Sequence, residues 1–263
     1  MLDMNKVVGT HHILFVTLDT LRFDVAERAF QAGQIPGMAK WLPAGWERRH
    51  SPANFTYAAH HAFFAGFLPT PITIESQPRL FATSFPGSET TSEQTCVFSE
   101  ANIVHGLVGR GYETHCIGGV GFFNKRTSLG CVLPDLFQYS YWSDSLGVTC
   151  RESTTNQVDI AMKIISVAAS EQLLFMFINI SAIHQPNCMY LPGADADSPQ
   201  SQQAALQYVD AATQPLWGLL ELTAPWFVVL CSDHGTAYGE DGRTGHRFNH
   251  PVIGDVPYAE FTV

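Results

Sequence analysis

Three short apolar runs in this sequence each end on a chemically reactive group, and that recurrence constrains the fold more than any other feature. They are ILFVTLD (Ile13–Asp19), LLFMFINIS (Leu173–Ser181) and WFVVLCSDHG (Trp226–Gly235). Each has strand length, is rich in β-branched or aromatic residues, and lacks strict alternation with polar ones. Strands of this kind are buried on both faces, as in a parallel sheet covered by helices. A weaker fourth run, ETHCIGGV (Glu113–Val120), follows a helix-like stretch over 102–110 that closes at Gly111. Helical spacing recurs over Val158–Ser170 and Gln202–Leu222, the second stopped by Pro225. Strands alternating with helices predict an α/β fold, a mostly parallel central sheet with helices on both faces. Ligands of such sheets bind beyond the carboxyl ends of the strands. Asp19 and Ser232–Asp233–His234–Gly235 are therefore expected to share one crevice.

The 263 residues suit one domain spanning 1–263, without internal repeats. Pro/Gly/Ser-rich connections at Pro69–Ser76, Pro86–Ser92 and Leu191–Gln200 are expected as surface loops. A net charge of -10 argues against nucleic acid and anionic membranes as partners, so an anionic substrate must be met by a local cationic feature. With 14% charged residues and no low-complexity tract, the chain is globular rather than disordered. The first residues lack a basic segment followed by a long apolar one, and no later run reaches about 18 apolar residues. That pattern predicts a soluble cytoplasmic protein. The six cysteines have no short zinc-ligand spacing and are expected to be reduced.

Asp19, Asp233 and His234 offer two carboxylates and an imidazole, a donor set suited to Zn²⁺ or Mn²⁺. The stretch SPANFTYAAHHAFFAGFLPTP (Ser51–Pro71), taken with TLDTLRFD and SDHGTAYGEDG, resembles the alkaline phosphatase superfamily in its sulfatase-like branch, including small bacterial sulfatase-like hydrolases. GLVGRGYETHCIGG (Gly106–Gly119), ISAIHQP (Ile180–Pro186) and LQYVDAATQPLWGLL (Leu206–Leu220) extend the resemblance over nearly the whole chain.

The resemblance implies that Asp19, Asp233 and His234 bind metal and that Thr56 is both ligand and nucleophile. It places Thr56 at the start of a helix ending at Ala65–Gly66–Phe67–Leu68–Pro69. A threonine hydroxyl is a poor nucleophile until a cation stabilises its alkoxide. The positive end of a helix favours a phosphate or sulfate beside it. Formylglycine-dependent sulfatases carry a cysteine or serine at this position, and threonine cannot be converted. The implied activity is a metal-dependent hydrolase or transferase of phosphate mono- or diesters through a phosphorylated Thr56. A sulfate- or phosphonate-ester hydrolase and an inactive binding protein are the alternatives.

His246 falls where relatives carry a lysine, and it or His184 would contact the anion or protonate the leaving oxygen. One ion is expected in preference to two; His184 and His250, with Asn179 or an unidentified carboxylate, are the candidates for a second. Lys125 is a candidate cation, while Arg22 reads as a partner for a carboxylate, His60 and His61 as a packed or surface pair, and Glu240 and Asp241 as a turn. Two bland roles stand beside the sharp ones: Asp19 as cap of a helix from Leu21, and Thr56 as cap of its own helix. The expected partner is a small anionic ester, with a homo-oligomer or a partner chain completing the site.

Overall fold

A computed structural model describes residues 4–65, 81–83, 96–98, 102–223 and 225–263. The expected helix end at Gly66–Pro69 and the loops Pro69–Ser76 and Pro86–Ser92 lie outside the described residues.

Seven strands form the central sheet: β1 (His12–Leu18), β2 (Glu47–His50), β3 (Glu113–Ile117), β4 (Tyr139–Tyr141), β5 (Leu174–Ile180), β6 (Trp226–Cys231) and β7 (Asp255–Thr262). Their spatial order is β2-β7-β6-β1-β5-β3-β4. β1 pairs in parallel with β5 and β6, and β3 with β5 and β4. β7 alone runs antiparallel, against both β6 and β2. The expected α/β architecture with a mostly parallel sheet is the one observed.

The apolar runs lack polar alternation because both faces of the sheet are covered. Leu14, Val16 and Leu18 of β1 join one core, with Leu174, Met176 and Ile178 of β5 and Val228 and Leu230 of β6. Helices α1 (Phe23–Gln31), α3 (Ser153–Val167) and α4 (Pro199–Leu222) close that side. Ile13, Phe15, Phe175, Phe177 and Phe227, one residue out of phase, build a second, aromatic core. Tyr57 and Phe64 of helix α2 (Thr56–Ala65) pack into it.

α4 begins three residues before the expected Gln202, because Ser198 and Ser201 form a reciprocal capping box with Pro199 in the first turn. α3 begins at Ser153, five residues before the expected Val158, and ends at Val167. β2, β4 and β7 are further strands at or beside the sheet's edges. α2 is buried on nearly all sides, so a helix carrying two histidines sits inside the protein.

Candidate active site

The central strands end together. Thr17 of β1 is paired with Asn179 of β5 and Cys231 of β6, so Asp19 and Ser232–Asp233–His234 emerge side by side. The Asp19 N–H still donates to the Ile180 carbonyl, at 3.2 Å. Ser51, before α2, donates its hydroxyl to the Asp233 carbonyl and ties the start of that helix to the same strand ends. Gly235 is required by close approach: a Cβ there would stand 1.9 Å from the Val252 carbonyl oxygen.

Thr56 Oγ1 lies 3.5 Å from Asp19 Oδ1 and 3.2 Å from His234 Nε2. Ligand atoms of Asp19, Asp233 and His234 all lie within 4.8 Å of one another, and all three residues are fully buried. Asn179 Nδ2 donates to Asp19 Oδ2 at 2.8 Å. Asp233 Oδ1 accepts the N–H groups of Thr20 at 3.1 Å and His234 at 3.0 Å, whereas Asp233 Oδ2 has no hydrogen-bond partner. His234 Nδ1 donates to the Gly235 carbonyl at 2.8 Å, so the neutral ring turns a bare Nε2 lone pair toward Thr56 and Asp233.

Burial, then the charge of Asp233, hold the Asp19 carboxyl well above the usual carboxylate range. Burial likewise raises Asp233. Burial pushes His234 down to about 3, keeping it neutral. Two desolvated carboxylates, one with an orphaned oxygen, beside a neutral imidazole nitrogen are the donor set that a divalent cation satisfies. The residues present fit such an ion.

Asp19 does not cap the following helix. α1 starts at Phe23 after Arg22, and the Asp19 carboxylate is turned to Asn179 and Thr56 instead. The Thr56 hydroxyl is likewise directed at Asp19 and His234.

His184 and His246 line a cavity of about 400 Å³ that opens from Thr56. The His246 ring centroid stands 4.5 Å from that of His234 and 6.1 Å from that of His184. Burial, then the two neighbouring histidines, push His246 down to about 2; burial also lowers His184.

His250 is engaged elsewhere. Its Nδ1 accepts the Val252 N–H at 3.2 Å and its Nε2 faces Asp241 at 3.3 Å. Among the described residues, no second cluster of three or more His, Cys, Asp or Glu ligands accompanies the first, and Asn179 is committed to Asp19. Lys125 is not brought to the site: its exposed Nζ bonds to the Ser140 hydroxyl at 2.7 Å and carbonyl at 3.2 Å. Arg22, buried, pairs with Asp24 at 2.8 Å and with Glu240, which in turn accepts the Tyr238 N–H at 2.6 Å. The Glu240 turn is thereby latched to the segment after β1.

Two neighbours of the site, Arg247 and Thr20, escaped the sequence reading, and a third, His60, was expected only as a packed or surface residue. Arg247 lines the cavity, with a left-handed backbone (φ 78°) and its N–H on the Asn54 carbonyl at 2.9 Å. Thr20, beside Asp19, is β-branched yet has φ 63°, a strained conformation clamped by Asp233 and by Gln202 Nε2 on its carbonyl at 2.9 Å. His60 is fully buried under Thr56. Spacing of four residues from a helix-start threonine was the available signal for it.

No family model and no curated protein matches the sequence. Solved structures do. The chain is similar to the soluble domain of lipooligosaccharide phosphoethanolamine transferase A from Neisseria meningitidis, at TM-score 0.64 and 15% identity, over 96% of this chain and 76% of that one. It is similar to the C-terminal periplasmic domain of EptC from Escherichia coli in complex with Zn, at TM-score 0.63 and 12% identity, over 97% and 74%. It is also similar to a sulfatase from Pseudoalteromonas sp., at TM-score 0.58 and 15% identity, over 96% and 62%. The fold is thus shared with phosphoethanolamine transferases, with a sulfatase and with a protein in the alkaline phosphatase superfamily from Vibrio parahaemolyticus.

The expectation of a cytoplasmic protein is corrected by the same matches. Several of the similar structures are C-terminal periplasmic domains of EptC proteins. A domain that follows other segments needs no leader of its own, so the composition of the first residues carries no assignment of compartment.

Proposed function

We propose that this chain transfers the phosphoryl group of phosphate esters to Thr56, and then to water or a second acceptor. The observation that carries the reading is the convergence of the Thr56 hydroxyl with Asp19 and His234 at 3.2–3.5 Å, beyond the strand ends. Asp19, Asp233 and His234 would hold one divalent cation, Zn²⁺ or Mn²⁺. When bound, that cation supplies charge for the buried carboxylates and lowers the pKa of the threonine hydroxyl.

Asp19 is kept in place by Asn179, and Asp233 by the Thr20 and His234 amides, so both carboxylates are held before substrate arrives. Thr56 opens a ten-residue helix, whose N-terminal end favours the anion. Arg247 adds a permanent positive charge on the cavity wall. In the first step the Thr56 Oγ–P bond forms as the P–O bond to the alcohol breaks, and the proton given up by the Thr56 hydroxyl is relayed through His246 or His184, neutral before the step, to the departing oxygen. In the second, an acceptor hydroxyl attacks phosphorus, the Thr56–P bond breaks, and the acceptor's proton returns to the threonine oxygen. Threonine cannot become formylglycine, which favours phosphate over the usual sulfatase route.

Thr56→Ala is expected to lower turnover of bis(4-nitrophenyl) phosphate by at least about 10³-fold while the cation still binds. Thr56→Ser should keep part of the rate. Phosphate trapped on Thr56 after acid quench, read by peptide mass spectrometry, would support the covalent step; undiminished turnover in Thr56→Ala removes Thr56 as nucleophile.

A further inference from the structure

The cavity beyond Thr56 has a mixed lining. Thr56, Thr127, His184, His246 and Arg247 supply polar groups, and Val120, Phe122, Leu129 and Val148 supply an apolar wall. Val120 belongs to the aromatic core, and Phe122, Leu129 and Val148 are half-buried, packed on that core while lining the cavity. The wall therefore has a rigid backing. Gly121 also lines it, and a Cβ added there would meet nothing within 4 Å, so the space beside it is open.

Charge narrows what the space can hold. Arg247 is the one permanently charged side chain among the described lining residues. The Asp19 and Asp233 carboxylates would offset the proposed divalent cation, so one fixed positive charge is left over and matches a monoanion. A phosphate monoester is dianionic near neutral pH and would also leave the apolar wall facing water. A diester carries one charge and a second ester group, and a volume of about 400 Å³ admits a phosphate with a ring-sized substituent.

We infer that Val120, Phe122, Leu129 and Val148 form a subsite for an apolar ester group, and that the site takes monoanionic phosphodiesters carrying such a group. The inference rests on the reading of Thr56 as the centre of a phosphate-ester site, and it specifies the substrate class for that site.

Binding in a Thr56→Ala background, which cannot form the proposed phospho-enzyme, tests the subsite separately from the chemistry. Calorimetric titrations of that protein, supplemented with Zn²⁺ at pH 8, compare dimethyl phosphate, diphenyl phosphate and phenyl phosphate. Diphenyl phosphate is expected to bind at least about tenfold more tightly than dimethyl phosphate, and more tightly than the dianionic phenyl phosphate. Gly121→Val, which fills the open space, and Leu129→Asn, which makes the wall polar at similar size, should each lower the diphenyl-to-dimethyl ratio at least about fivefold. Equal affinity for the two diesters, a preference for phenyl phosphate, or a ratio unmoved by both variants overturns the subsite. Retained turnover in Thr56→Ala would instead remove the proposed nucleophile and leave the binding ratios standing.

Discussion

His60 lies one helical turn after Thr56 and donates its Nδ1–H to the Thr56 carbonyl at 2.7 Å. The bond fixes the tautomer of this buried ring, so Nε2 accepts the hydroxyl of Thr17 at 3.1 Å, and Thr17 in turn accepts Asn179 Nδ2 at 3.2 Å. Asn179 also holds Asp19, and His60 Nδ1 stands 3.8 Å from Asp233 Oδ2. One imidazole thus connects the start of α2, strand β1 and both proposed carboxylate ligands.

His60→Phe isolates that polar role, because the ring already sits among Phe63, Phe64, Phe123 and Phe177. Packing is largely kept, while the Thr17 hydroxyl and Thr56 carbonyl lose a buried partner. The variant is expected to lose about 2 kcal/mol of stability in urea unfolding and to bind Zn²⁺ or Mn²⁺ more weakly. An unchanged midpoint and unchanged metal affinity would show the network to be dispensable.

Asp233→Asn should act in opposite directions with and without metal. The oxygen of the introduced amide can keep the Thr20 and His234 N–H groups, while its nitrogen would take the place of the orphaned Asp233 Oδ2, 3.5 Å from a His234 Nε2 that also meets the Thr56 hydroxyl. A buried carboxylate beside Asp19 is exchanged for a neutral amide. The metal-free variant is expected to be more stable than the parent by about 1–3 kcal/mol, and to lose the rise in Tm that added Zn²⁺ or Mn²⁺ gives the parent. Thermal unfolding with and without the ions reads both effects.

Thr20→Gly removes a β-branched residue from φ 63° together with its buried hydroxyl, which has no partner. Relief of about 1–3 kcal/mol of backbone strain outweighs the added entropy of glycine in the unfolded chain, about 0.5–1 kcal/mol. Denaturant unfolding of the metal-free protein should show a net gain of about 1 kcal/mol; a loss would mean that the left-handed conformation is not strained there.

What the sequence disclosed follows from which interactions are local. β1, β5 and β6 are legible because burial on both faces leaves their runs almost wholly apolar. β7 contains Pro257 and is half-exposed along much of its length, and β2 is the wholly exposed Glu-Arg-Arg-His, so neither carries that mark. Asp19, Asp233 and His234 stand out as polar ends of apolar strands. His60 does not, since a histidine four residues into an apolar helix has the same pattern whether it serves a network or only packs. Arg247 depends on a left-handed turn that nothing in Arg-Thr-Gly-His-Arg-Phe-Asn specifies locally, so the order of His246 and Arg247 around the cavity was settled by tertiary contacts.

The histidines around the site set a pH dependence that can be separated from that of the carboxylates. Burial pushes His246 from an ordinary value of 6.5 down to about 2. Between those limits the unfolded chain takes up a proton at this residue and the folded one does not. The stability tied to a neutral His246 is therefore complete above about pH 6.5 and is lost progressively as pH falls toward 2. Asp19 and Asp233 are shifted upward, so their effect has the opposite sign: the fold loses stability as pH rises from about 3.8 through their raised values. His246→Gln removes the His246 contribution and leaves both carboxylates and the other buried histidines in place, so their share largely cancels between the two metal-free proteins. Relative to the parent, His246→Gln should gain stability between about pH 7.5 and pH 5 in urea unfolding. Parallel curves across that range would mean that His246 is protonated in the fold as readily as in the unfolded chain.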